Sequence, residues 1–196
     1  MKNKVKQYVK EWETYANIHF VFINDPPNDI TKAQIVVGFQ DNGLDWSWIG
    51  REASRNSTGE KTMNLGSIWD NTEESEIRRV VLHQFGHVLG FIDEHKAPTA
   101  GIPWDRDKVF SFFAASPRNW SSGRVNEEIF STYSQTKINS STYDRLSIMH
   151  FFFPPELTTD GSSFTRNTNL SEIDKAFAKQ VYPFPSTPAT DRKSVV

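Results

Sequence analysis

Val5, Tyr8, Val9, Trp12 and Tyr15 recur at spacings of three and four residues, the period at which one face of an α-helix turns inward, and predict a helix over about 3–17. The period then changes. Ile18-His19-Phe20-Val21-Phe22-Ile23 is dense in β-branched and aromatic residues and stops at Asn24-Asp25-Pro26-Pro27, the pattern of a strand followed by a turn. A second strand is predicted over 34–39. Asp41-Asn42-Gly43 breaks the chain, Trp46-Ser47-Trp48-Ile49-Gly50 reads as a loop or short strand, and Thr62-Met63-Asn64-Leu65-Gly66 predicts a short strand at a sheet edge. A long helix follows. Asn71 or Thr72 can cap it, Glu73, Glu74 and Glu76 suit its N-terminal dipole, and Ile77, Val80, Val81, Phe85, Val88 and Leu89 form its apolar face up to Gly90.

The second half is less regular, with Pro98, Pro103, Pro117, Pro154 and Pro155 among aromatic residues and one helix predicted over about 107–115. Leu170-Ser171-Glu172-Ile173-Asp174 places an N-cap three residues before an acid, and Ala176, Phe177 and Val181 continue on a helical period. Residues 184–196 predict a flexible tail. With 196 residues, 37% hydrophobic and 23% charged, the composition is that of one globular domain. A net charge of −2 and a pI near 6.2 provide no basic footprint for nucleic acid or an anionic membrane. Cysteine is absent, which rules out disulfides and thiolate metal sites. The opening Met1-Lys2-Asn3-Lys4-Val5-Lys6 has no apolar run of the signal-peptide kind, so a cytoplasmic protein is expected. Asn56, Asn119, Asn139 and Asn169 lie in glycosylation sequons, which matter only in a secreted chain.

The candidate chemistry lies in His83-Gln84-Phe85-Gly86-His87-Val88-Leu89-Gly90-Phe91-Ile92-Asp93-Glu94-His95. His83 and His87 are one helical turn apart and project on one side, as two imidazoles sharing a cation must. Gly90 ends the helix in the left-handed conformation, and Asp93 arrives six residues after His87 as a possible third ligand. In the zinc-protease pattern H-E-x-x-H the intervening Glu deprotonates metal-bound water. Here that position is Gln84.

The run resembles the metzincin motif H-E-x-x-H-x-x-G-x-x-H, and the adjoining Glu94-His95 is similar to its astacin-like branch. Ser147-Ile148-Met149-His150 resembles the astacin Met-turn, S-x-M-H-Y, and the segments 62–66, 170–174 and 182–183 also look like parts of astacin relatives. The resemblance implies an α+β metzincin (zincin-like) fold, with a twisted mixed sheet, an active-site helix, a Met-turn at Met149 and a less regular C-terminal lobe. It implies an N-terminal lobe over about 1–92 and a C-terminal lobe over about 93–183. A divalent metal is implied, zinc by family resemblance, held by His83, His87 and Asp93. Glu94, His95, His150, Tyr143 and Asp144 are expected to support the site without touching the metal.

Three departures from that pattern bear on chemistry. Gln84 has no basic lone pair near neutral pH, so it can orient a water but not deprotonate it. Asp93 stands where the third histidine is expected, and its charge offsets part of the cation's +2. Phe151 replaces the Met-turn tyrosine and has no hydroxyl to offer. The leading expectation is a metal-dependent enzyme whose chemistry is no longer peptide hydrolysis. In it Gln84 orients a ligand, and Phe151, with Trp46 or Trp48, lines a pocket for a small molecule. The His-His-Asp set also suits Fe(II). The alternatives are a zinc endopeptidase weakened at Gln84, or a non-catalytic module holding an extended peptide against the strand near Met63.

Overall fold

The first helix, α1, covers Lys2–Tyr15 and turns Val5, Val9 and Trp12 inward. Trp12 is completely buried, and its indole N–H donates to the Leu82 carbonyl at 3.1 Å, so the largest side chain on this face also satisfies its polar atom. The facing helix, α2, spans Glu74–Val88 and buries Ile77, Val80, Val81 and Phe85. Full burial of such a side chain contributes about 1.5–3 kcal/mol, enough to override the weak helix propensity of Val and Ile. On its polar side Arg78 grips both carboxylate oxygens of Glu11 at 2.7 and 2.5 Å and also donates to the Thr168 carbonyl and to Asn169. Neither Asn71 nor Thr72 caps α2. Glu73 occupies the N-cap without a side-chain bond, because the Thr72 hydroxyl accepts the Trp69 N–H in the preceding turn.

The computed structural model describes residues 1–23, 33–55, 60–116, 118–134, 142–185 and 193–195. It divides into two compact units, Met1–Phe91 with Thr168–Val196, and Ile92–Asn167. In the first unit β1 is Ile18–Phe20, shorter than the expected 18–23, and Val21 and Ile23 are exposed; the turn expected at 24–27 and the sequon residues Asn56 and Asn139 lie outside the described residues. Of 34–39 only β2, Val37–Gly38, is strand. Two further strands, β3 (Asp45–Ser47) and β4 (Met63–Leu65), complete a sheet ordered β2-β4-β3. β4 is therefore central, not at the edge: it runs parallel to β2 and antiparallel to β3, and all three of its residues are buried. A three-residue length suits an edge, whereas burial on both faces is the mark of an interior strand. The C-terminal segment is not simply a tail, since β5, Lys193–Val195, pairs in parallel with β1.

The last helix, α5 (Glu172–Val181), begins as its sequence predicts. The Ser171 hydroxyl accepts the Asp174 N–H and the Asp174 carboxylate accepts the Ser171 N–H, both at 2.9 Å. Ala178 is buried and Phe177 contacts Phe91, but Val181, expected on the inner face, is exposed. Just beyond, the Tyr182 hydroxyl donates to the Leu89 carbonyl at 2.8 Å. These contacts return the C-terminal part to the first unit, a connection that a linear division at residues 92 and 93 does not express.

The second unit holds α3 (Arg106–Ala114), the short α4 (Ser122–Val125) and a π-helical turn, Asn126–Phe130. Val109, Phe113, Val125, Ile129, Phe153, Leu157 and Phe164 form its core. No helix among the described residues is long and apolar enough to cross a membrane.

Asn64, in the middle of β4 and completely buried, holds the 40–44 loop. Its amide nitrogen donates to the carbonyls of Gln40 and Leu44, and its oxygen accepts the Gln40 N–H at 2.9 Å. Asn64→Leu keeps the branched shape but leaves the Gln40 N–H without its acceptor, while the Gln40 and Leu44 carbonyls keep the Asn42 and Gly66 N–H groups, so stability to urea should fall by about 1–3 kcal/mol. An unchanged urea midpoint would show that the loop is anchored elsewhere.

Candidate metal centre

The candidate ligands start from the way α2 ends. Leu89 caps its C-terminus after Val88, and Gly90 follows at φ +91°. The Gly90 N–H donates to the His87 carbonyl at 2.8 Å and the Phe91 N–H to the Gly86 carbonyl at 3.0 Å, the pair of reversed bonds that defines a Schellman stop. A Cβ at position 90 would meet nothing within 4 Å, so the requirement for glycine is set by the backbone angle alone. The stop aims the Phe91 carbonyl at His87, whose Nδ1 lies 2.8 Å from it. With Nδ1–H donating there, Nε2 is the nitrogen that could ligate a metal, and a bond of this kind is how proteins fix the tautomer and orientation of a ligating imidazole.

His83 and His87 are buried, their rings 4.8 Å apart and nearly perpendicular. Within the continuous segment 83–93, His83, His87 and Asp93 each present a ligand atom, and the three lie within 4.8 Å of one another. Two imidazoles and one carboxylate at this spacing fit a divalent transition metal. Gln84, between the histidines, is also buried, and its Oε1 has no hydrogen-bond partner among the described residues. A carbonyl oxygen left so in a protein interior calls for a polar companion.

The residues after Asp93 are tied down individually. Glu94 donates its N–H to the Met149 carbonyl at 3.0 Å, and its carboxylate accepts the Asp144 N–H at 2.6 Å. His95 Nε2 lies 2.8 Å from the Glu128 carbonyl, and Lys96 pairs with the Glu128 carboxylate at 3.0 Å. Glu128, on the π-helical turn, was not singled out from the sequence, and no local spacing points to it. Around the Met-turn, the His150 Nδ1–H donates to the Phe151 carbonyl at 2.7 Å, and the Tyr143 hydroxyl donates to Nε2 at 2.8 Å. The imidazole is also stacked on Phe164, with centroids 4.7 Å apart. Both nitrogens are thus satisfied in the neutral form. Burial lowers the His150 pKa to about 4, against a smaller opposing effect of the Phe151 carbonyl, and burial raises that of Tyr143 to about 12.

Phe151, expected as a pocket wall, packs within its own unit, 4.8 Å from the His95 ring and against the core around Phe153. Trp46, on β3, and Trp48, just after it, are 37% and 36% exposed, which leaves them on the surface of the first unit. The aromatic residues thus serve packing and surface roles within their own units.

An α+β frame carrying this helix, stop and Met-turn defines a metzincin, the fold class of astacin-type zinc proteases. Residues 1–181 match the model of the Astacin peptidase family, and the chain belongs to that family. It is similar to a bone morphogenetic protein 1 homolog of Strongylocentrotus purpuratus, 32% identical over 148 residues; the match covers 74% of this chain but only 20% of the relative. Among solved structures, one of myroilysin superposes with a TM-score of 0.87 at 42% identity, covering 94% of this chain and 87% of that one. A hatching-enzyme zinc-protease of Oryzias latipes, high choriolytic enzyme 1, shares the fold with a TM-score of 0.58 at 15% identity, covering 92% and 81% of the two chains.

The buried His150 makes stability depend on acid. Its unfolded pKa is about 6.5, so as pH falls from about 6.5 towards 4 the unfolded chain takes up the proton first and native stability drops. The loss attributable to this residue should be on the order of 3 kcal/mol by pH 4. Urea titrations of the wild type and His150→Gln between pH 7 and 4 check this, with the steeper decline expected in the wild type. Equal slopes would contradict it.

Proposed function

We propose that this astacin-family protein binds a divalent cation, zinc as in its family, through His83, His87 and Asp93, and has lost most of the peptidase activity of that scaffold. The observation that carries the reading is the clustering of these three donors beside a buried, uncharged Gln84. A cation held there would polarise a carbonyl and acidify a bound water. The chain's own residues do less than the family pattern asks. Gln84 can hydrogen-bond a water or a peptide carbonyl but cannot take a proton, which removes about 10²–10⁴ in rate. Asp93 adds negative charge to the ligand set, favouring retention of the cation and weakening its effect on a bound water. An extended polypeptide is the fitting ligand. It would align along an edge strand of the three-stranded sheet, such as β3, rather than along the central β4.

Turnover of a small molecule is a second reading, favoured by the two-histidine, one-carboxylate donor set, which also suits Fe(II). It draws no support from Phe151, whose ring is committed to packing.

Compared with the family motif, one carboxylate has moved from the base position to a ligand position. Gln84→Glu alone therefore places two carboxylates at the site. It should raise cleavage of an unfolded protein substrate about 10²-fold, and Gln84→Glu combined with Asp93→His should raise it further, towards 10⁴-fold. Elemental analysis should find zinc in the wild type and none in His83→Ala. No gain in either Gln84 variant with zinc still bound would refute the lost-peptidase reading, and stoichiometric iron in protein purified without oxygen would favour the second.

A further inference from the structure

We infer that Glu94 is a positioning residue that sets the metal affinity of Asp93 by tying the backbone beside it to Met149 in the Met-turn and to Asp144 in the segment just before it; this rests on the metal-binding reading above. Asp93 is the donor not carried on α2, so its placement must come from its neighbours. Glu94 makes two bonds in opposite senses to residues about fifty positions away. Its N–H donates to the Met149 carbonyl at 3.0 Å, and its carboxylate accepts the Asp144 N–H at 2.6 Å, a charge-assisted bond. The receiving segment is itself braced: the Asp144 carboxylate accepts the Leu146 N–H at 2.9 Å, the Ser147 hydroxyl accepts the Met149 N–H at 3.0 Å, and Tyr143 is fixed to His150.

The next two residues pull the same short turn, Glu94–Lys96, towards the π-helical turn. His95 bonds the Glu128 carbonyl and Lys96 bonds the Glu128 carboxylate. A π turn interrupts the regular ladder of backbone bonds, and the Glu128 carbonyl within it has the His95 ring as a partner. Three consecutive residues after Asp93 are therefore fixed, Glu94 by Met149 and Asp144 and the next two by Glu128, and Glu94 is the one adjoining Asp93 in sequence. Supports of this kind around ligating side chains typically govern about 10–100-fold in metal affinity. The carboxylate is needed as a hydrogen-bond acceptor, so an amide oxygen should replace it in part.

The test is Co²⁺ binding to the full chain, read from the visible d–d spectrum in competition with a chelator, for the wild type, Glu94→Ala and Glu94→Gln. Exchange of the Asp144 amide is followed in the metal-free proteins. Glu94→Ala should bind about 10–100-fold more weakly with an altered d–d band, and its Asp144 amide should exchange roughly tenfold faster. Glu94→Gln should recover most of the affinity and the wild-type band. Affinity and spectrum unchanged in Glu94→Ala would overturn the inference, as would a Glu94→Gln variant no better than the alanine. If the wild type itself binds no Co²⁺, the metal-binding reading fails, and the inference about affinity falls with it; wild-type binding with indifferent Glu94 variants overturns only the latter. A variant with a lowered apo Tm but normal Co²⁺ affinity and band would show a purely structural role and count against the inference.

Discussion

At Gly90 the backbone takes a left-handed turn at φ +91°, and the site hangs on the consequences of that angle. It reverses the chain within one residue and closes the two bonds that end α2. It also brings the Phe91 carbonyl onto Nδ1 of His87 while the Phe91 ring packs against Trp12 and Phe177, at 5.2 and 5.3 Å. One residue thus joins the hydrophobic core to the orientation of an imidazole. An L side chain at position 90 would find room, but not the angle, and strain of about 1–2 kcal/mol would fall on the residue that aims His87.

From that turn the chain reaches Asp93 after three residues, and the chemistry follows from where charge is placed. In the family pattern the single carboxylate is a base and the ligands are neutral; here the base position is a neutral amide and a carboxylate, Asp93, stands where the third ligand is expected. On the proposed reading the exchange would separate holding a cation from using it, because a carboxylate ligand strengthens the electrostatic attraction and weakens the activation of water. Burial sharpens the contrast. Gln84 can be kept in the interior without the desolvation cost of an ionised glutamate, but its oxygen still needs a polar companion, which a ligand at the metal would supply.

Much of this was readable in the sequence because it is local. The i,i+4 histidines, the glycine stop and the Ser171–Asp174 cap each lie within a few residues, and periodicity and capping chemistry report on that range. What depended on distant partners was not readable. The central position of β4 follows from pairing with β2 and β3, the packing of Phe151 from His95, and the fixing of Glu94 from a backbone amide at Asp144. The neighbouring phenylalanines illustrate the difference: next to one another in sequence, Phe152 is exposed while Phe153 is a core residue.

The central claim is that the cation is held by two imidazoles and one carboxylate, and X-ray absorption at the zinc edge of the purified, unchelated protein tests it most directly. The account predicts two imidazole nitrogens at about 2.0–2.1 Å and carboxylate oxygen at about 2.0–2.2 Å, with one imidazole fewer in His87→Ala. A spectrum fitted by three imidazoles, or one unchanged by both His87→Ala and Asp93→Ala, would contradict it.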